Sequence, residues 1–205
     1  MSVSSRYPIP AARHRVEQTV TKSRFIATVG QAATVEEARA FIDDVSQAFP
    51  DASHNCWAYV VGPPGDSSRV GMSDAGEPHG TAGRPMLDVL LGSGIGDIVA
   101  VVTRYFGGVK LGKGGLSRAY SGAVKLALED LELEERVRKV YLRIRAGYAD
   151  VTPLKRALPS FEASVVEEEY GTGVVVTVLL PDEHADAFSA ALAGMTNGTA
   201  EVDRL

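Results

Sequence analysis

VVTRYFGGVKLGKGGLSRAY, residues 101–120, carries the chain from an apolar run through a glycine-rich loop into a helical pattern. Gly107, Gly108, Gly112, Gly114 and Gly115 fall within nine residues, a density that marks close backbone approach or positive φ. From Ile98 to Leu128 stand five cations (Arg104, Lys110, Lys113, Arg118, Lys125) and no acid, whereas the whole chain has a formal net charge of −5. A cationic island at the start of a helix outlines an anion site, because exposed N–H groups add to the side-chain charge. Phosphate, free or in a nucleic acid, is the expected anion. The spacing Gly107, four residues, Gly112, Lys113 approaches a Walker A loop, but Gly114 stands where a Ser or Thr would hold magnesium. That excludes a P-loop ATPase. The plainer alternative is a tight strand-to-helix crossing with solvated cations.

Outward from this loop, Asp97 to Tyr105 is nearly all apolar and predicts a strand covered on both faces. The helix after the loop is expected from about Gly115 to Leu131. Before it, Val16 to Val29 reads as two short strands around Lys22, Ser23 and Arg24. Thr34 and Glu37 form a capping box ahead of Val35, Ala38, Phe41, Ile42, Val45 and Phe49, and Pro50 stops that helix. His54 to Val61 has strand composition, and Ser68 to Met72 is its expected hairpin partner. Pro85 opens a short helix carrying Met86, Leu87, Leu90 and Leu91.

The charged run Glu129 to Lys139 marks a boundary. Beyond it, strand, helix, strand, strand, helix, strand succeed one another, the βαββαβ order of a ferredoxin-like unit. The expected organisation is an extended arm over residues 1–14, a first domain over 15–136 and a ferredoxin-like domain over 137–205. In the latter, Tyr141, Arg143 and Arg145 share a strand face, and Glu167 and Glu169 share one on an expected neighbouring strand. From Glu129 onward the chain holds 15 acids against 8 cations, so cross-strand ion pairing is preferred there to RNA binding.

Composition sets the outer limits. Hydrophobic content of 45% and charged content of 23% are those of a globular protein. No apolar run is long enough for a membrane helix, and the N-terminal stretch lacks an apolar signal region. One cysteine, Cys56, excludes an internal disulfide. A cytoplasmic protein without a membrane partner is the expectation. An isoelectric point near 5.4 argues against indiscriminate nucleic-acid binding and leaves room for a focused site.

The second glycine-rich stretch, SDAGEPHGTAGRP (residues 73–85), holds the other chemistry-bearing side chains. Asp74, Glu77 and His79 with His54 would form an acid–base or metal cluster, although their spacing fits no established zinc pattern, and neither metal nor cofactor is expected. The alternative is that Asp74 and Glu77 cap the helix near Arg84 or pair with Arg104 and Lys110. Thr81 and Gly83 would present N–H groups to phosphate at that helix start. Cys56 reads as a buried small residue, not a nucleophile. Tyr105 and Phe106, at the strand end, are candidate stacking platforms for a base, and Phe106 serves equally as core.

KSRFIA (22–27), HNCWAY (54–59), the D-x-G-E-P-x-G-T-A-G-R-P-M run (74–86) and residues 101–120 resemble the IMPACT/YigZ family over essentially the whole chain. The resemblance implies an α+β protein: an α/β sandwich like domain 2 of ribosomal protein S5, followed by a ferredoxin-like domain similar to one in translocating elongation factors. Eukaryotic relatives regulate translation through an additional N-terminal RWD domain, for which the arm before the first strand is too short, so that role is not carried over. Many members place a second aspartate where Ala75 stands, which weakens any mechanism needing adjacent carboxylates. The leading expectation is a translation-linked regulator binding RNA or the ribosome through Thr81, Gly83, Arg84, Arg104, Tyr105, Gly107, Gly108, Lys110, Gly112, Lys113, Gly114, Gly115 and Arg118. The alternatives are a hydrolase or transferase using His54, Asp74 and Glu77 on a small phosphorylated or peptide-like substrate, and a module docking a translation factor.

Overall fold

The structure, a computed structural model, describes residues 6–205. It divides into two units, Met1–Arg136 and Val137–Leu205. The first begins with strand β1 (Arg6–Pro10) and continues with β2 (His14–Val20), β3 (Ser23–Gln31), helix α1 (Val35–Ala48), β4 (His54–Val60), β5 (Val70–Ser73), helix α2 (Gly83–Gly92), β6 (Ile98–Tyr105), helix α3 (Gly112–Glu129) and β7 (Leu133–Val137). Strands β2 to β6 form one antiparallel sheet in the order β2-β3-β6-β4-β5.

β6 lies at the centre of that sheet and its alternation sorts the core. Ile98, Ala100 and Val102 pack with Met86, Leu90, Leu116, Tyr120 and Val124 of α2 and α3, while Val99 and Val101 pack with Ala38, Ile42 and Val45 of α1 on the other face. Each fully buried Val, Ile or Leu side chain contributes roughly 1.5–3 kcal/mol. Thr34 caps α1 by accepting from the Glu37 N–H at 3.1 Å, and the Glu37 carboxylate accepts from the Ala33 N–H. The box therefore closes one residue before the cap.

Three local expectations are corrected. The β2–β3 turn is Thr21-Lys22, both at positive φ, and Ser23 and Arg24 already belong to β3. Helix α3 begins at Gly112, three residues earlier than the pattern suggested, because the glycines that read as loop form its first turn. The arm expected over residues 1–14 lies partly outside the described residues; residues 6–10 are β1, paired with β7 in a two-stranded sheet. Pro8 and Pro10 are compatible with a strand that needs few ladder donors.

Asp97 fastens this ribbon to the sheet. Buried and at φ 46, it accepts from the Gly62 N–H at 2.7 Å, from the Tyr7 hydroxyl at 2.9 Å and from Arg136 at 2.9 Å. Burial first, then the bond to Asp97, pushes the Tyr7 hydroxyl up to about 12.

The second unit runs β8 (Lys139–Ala146), α4 (Val151–Ala157), β9 (Ser164–Tyr170), β10 (Val174–Pro181), α5 (Ala185–Met195) and β11 (Glu201–Arg204). Its sheet order, β11-β8-β10-β9, is the ferredoxin-like arrangement. Leu154, Phe188 and Leu192 of the helices pack on Leu142, Ile144, Val176 and Val178. β9 is not the neighbour of β8, as the charge pattern had suggested: β10 lies between them. Arg143 still reaches Glu169 at 3.5 Å, and Arg145 pairs with Asp203 at 2.7 Å on β11.

Candidate functional site

The ends of β3, β4 and β6 bring the two glycine-rich loops together. Asp74 turns inward: one carboxylate oxygen accepts from the N–H groups of Ala82 (3.0 Å) and Gly83 (2.9 Å), the other from Gly80 (2.8 Å). Burial alone would raise this carboxyl, but those three bonds outweigh it and hold it below the usual range. The N-terminus of α2 is therefore filled by the chain's own carboxylate, which corrects the expectation of a phosphate at Thr81 and Gly83. Thr81 donates to the Pro78 carbonyl, and a Cβ on Gly83 would lie 2.9 Å from the Ser73 backbone. Both positions serve packing.

Glu77 is buried and its Oε1 accepts from Arg104 at 2.5 Å and from the Tyr120 hydroxyl at 2.8 Å, with His54 Nε2 at 4.0 Å. Arg104 is 5% exposed and also reaches Ser23 Oγ at 3.3 Å. It is thus a structural partner of Glu77 and is withdrawn from the set of ligand-binding cations. His54 Nδ1 faces the Ala75 carbonyl at 2.9 Å, and Cys56 donates to the Asp74 carbonyl at 2.9 Å. Burial pushes the Cys56 thiol up to about 12 and raises Tyr120 as well. His54 and Glu77 come within 4.0 Å of each other, Glu77 buried and His54 half-buried, while the half-buried Asp74 carboxylate is turned to the start of α2.

Two further expected residues are also engaged within the protein. Arg84 pairs with Asp88 on α2 at 2.9 Å. Tyr105 donates to Asp51 at 2.8 Å, and Arg24 lies over its ring at 4.9 Å. Gly107 is pressed so closely on the β2–β3 turn that a Cβ would lie 2.0 Å from the Lys22 carbonyl oxygen. Ser23 and Ser53, which sequence reasoning did not single out, accept from the N–H groups of Gly107 (3.2 Å) and Phe106 (3.1 Å). Nothing in the spacing of two isolated serines announces that role.

The remaining residues face outward at the start of α3. Lys110, Gly115 and Arg118, with Gln18, Thr21 and Leu111, line a cavity of about 310 Å³. Gly108 and Gly112 take positive φ, which turns the loop into the helix. No side chain caps α3, so the first-turn N–H groups of Gly112, Lys113 and Gly114 point out of the helix end. Among the described residues, Lys110, Lys113, Arg118 and Lys125 take part in no ion pair. Arg118 also borders a larger groove of about 980 Å³ between α2 and α3. No helix of the described residues is long and apolar enough to cross a membrane, and no group of three metal-ligating side chains occurs among them.

The residues gathered at this sheet end are those of the motif stretches, which lie within the stretch that matches a known family. Residues 21–128 match the family described as Impact N-terminal domain, and residues 144–199 the domain of unknown function DUF1949. The chain belongs to the IMPACT family. It is 41% identical over 194 residues to the IMPACT family member YigZ of Escherichia coli (strain K12), across 95% of each chain. It is 36% identical to an IMPACT family member of Haemophilus influenzae, across 95% of this chain and 94% of that one. To YvyE of Bacillus subtilis (strain 168) it is 35% identical, across 94% and 87%. A crystal structure of a hypothetical protein matches with a TM-score of 0.71 at 40% identity, across 96% of each chain. For this IMPACT family member, Ala75 occupies φ 42 in the motif loop, a region that Asp or Asn tolerates better than Ala.

Proposed function

We propose that this protein is a translation-linked regulator that holds the phosphate backbone of RNA, free or ribosomal, at the start of α3. One observation carries the reading: Leu111, which precedes the uncapped first turn of α3, lines a cavity whose charged lining residues among those described are the cations Lys110 and Arg118. Phosphate would accept from the N–H groups of Gly112 to Gly114 while Lys110, Lys113 and Arg118 supply charge. The acidity of the rest of the chain confines attraction to this edge. The engaged carboxylates support this reading over the enzymatic one, since Asp74 and Glu77 already accept from Gly80, Ala82, Gly83, Arg104 and Tyr120.

The test is a binding titration against tRNA, ribosomal subunits and short single-stranded RNA at two salt concentrations, with the wild type and Lys110→Glu. Three single-strand phosphate contacts give a log–log salt slope of about −2, a roughly twentyfold loss between ~50 and ~200 mM. Binding that ignores salt, or that survives Lys110→Glu unchanged, would remove the proposal.

A further inference from the structure

Phe106 leaves 51% of its surface exposed although it is a large apolar ring in a rigid frame. Its N–H donates to Ser53 Oγ, the next N–H donates to Ser23 Oγ, and Gly107 is wedged against Lys22. The backbone on which the ring stands is thus pinned from two sides. Beneath it, the Arg104 guanidinium lies 5.5 Å from the Phe106 centroid and 5.5 Å from that of Phe25, while Glu77 holds the same guanidinium from the edge. A guanidinium over both rings, with its Nε making no hydrogen bond among the described residues, is held to them by cation–π attraction. The neighbouring Tyr105 differs: its hydroxyl and ring are taken by Asp51 and Arg24.

An oriented aromatic face four residues before Lys110 has no use to free phosphate, nor to the backbone of a duplex, whose bases are stacked inside. It has one to a single strand, in which a flat π-face accompanies every phosphate. We infer, on the strength of the phosphate reading above, that Phe106 is a stacking platform for one unpaired base, so that the glycine-loop site selects single-stranded RNA. Phe106 then contributes affinity that is independent of salt, and the cations contribute affinity that is independent of the base.

The experiment compares an eight-nucleotide oligoadenylate carrying 2-aminopurine, an abasic ribose-phosphate strand of the same length, and an RNA duplex. Wild type, Phe106→Ala, Phe106→Trp and Lys110→Glu are titrated with each. The wild type is expected to bind the oligoadenylate roughly 5- to 150-fold more tightly than the abasic strand, with altered 2-aminopurine fluorescence. Phe106→Ala should abolish that ratio and leave abasic binding unchanged, Phe106→Trp should keep it, and Lys110→Glu should weaken both strands alike. The comparison of strands with the wild type alone decides the matter should a variant misfold. Equal, Lys110-dependent binding of the two strands overturns the stacking role and leaves the phosphate reading standing. Binding of neither strand overturns both.

Discussion

Arg104 and Lys110 stand six residues apart in one sequence motif, and the fold treats them as opposites. Arg104 is sealed at the end of the sheet against Glu77, Ser23 and two aromatic rings. Lys110 lines an open cavity and joins no ion pair among the described residues. The first arrangement determines shape: it locks the DAGEP loop to β6 and α3. The second leaves charge available for a partner. A cluster of cations in a sequence therefore mixes two populations, and burial beside a carboxylate decides which is which.

The sharpest way to break the comparison is at the buried end. Glu77→Ala should cost about 3–5 kcal/mol, because it strands a buried guanidinium. Replacing both partners, Glu77→Leu with Arg104→Met, should cost far less. Urea denaturation of the singles and the double measures the difference. Equal losses for Glu77→Ala and the double variant would show that the pair matters for more than its mutual neutralisation.

Alkaline conditions probe the same frame without that substitution. The Cys56 thiol is raised from 9.0 to about 12 by burial. The unfolded chain therefore loses this proton first. The stabilisation is complete below pH 9 and is withdrawn as the pH climbs towards 12, with about 2–3 kcal/mol gone by about pH 11. Denaturation profiles of the wild type and Cys56→Ala should diverge in slope across that window and run parallel below it. Thiol reagents should modify Cys56 slowly at pH 8 in the folded protein.

A smaller effect is expected at the helix that the chain caps for itself. Asp74→Ala should lower stability by about 1–2 kcal/mol through loss of the bonds to the α2 N-terminus. At the exposed edge the expectation reverses. Lys113→Ala and Arg118→Ala should each change stability by no more than about 0.5 kcal/mol while weakening RNA binding and flattening its salt dependence. If either unfolds the protein, the division between frame and free edge fails.

Features set by neighbouring residues were legible in the sequence. Thr34 with Glu37 marked a helix start, the nearly unbroken apolar run of residues 97–105 marked a strand covered on both faces, and the strand–helix order after residue 137 marked the ferredoxin-like unit. Pairings across long separations were legible only as alternatives: the Glu77–Arg104 pair and the Asp74 cap on α2, both of which the structure shows, stood beside an acid–base or metal cluster. Glu77 and Arg104 are 27 positions apart, and a carboxylate in a glycine-rich loop reads equally as ligand, base or counter-ion until its neighbour is known. β1 and β7 were missed for the same reason. Prolines disguise one, and the sequence LEERV, which exposes three of its five residues, disguises the other. At the glycine loop, the charge was legible, but the three-residue shift in the start of α3 decided which N–H groups are free.

The Tyr7–Asp97–Arg136 clasp bears on chain topology. It sets the segment that enters the first unit alongside the segment that leaves it. That unit is closed on itself like a ring with a single seam, and the order in which its strands are threaded is separable from the shape they make. A circular permutant joining residue 136 to residue 6 through a short glycine linker, and opened in the Pro63–Ser68 turn, would keep every pairing of the central sheet.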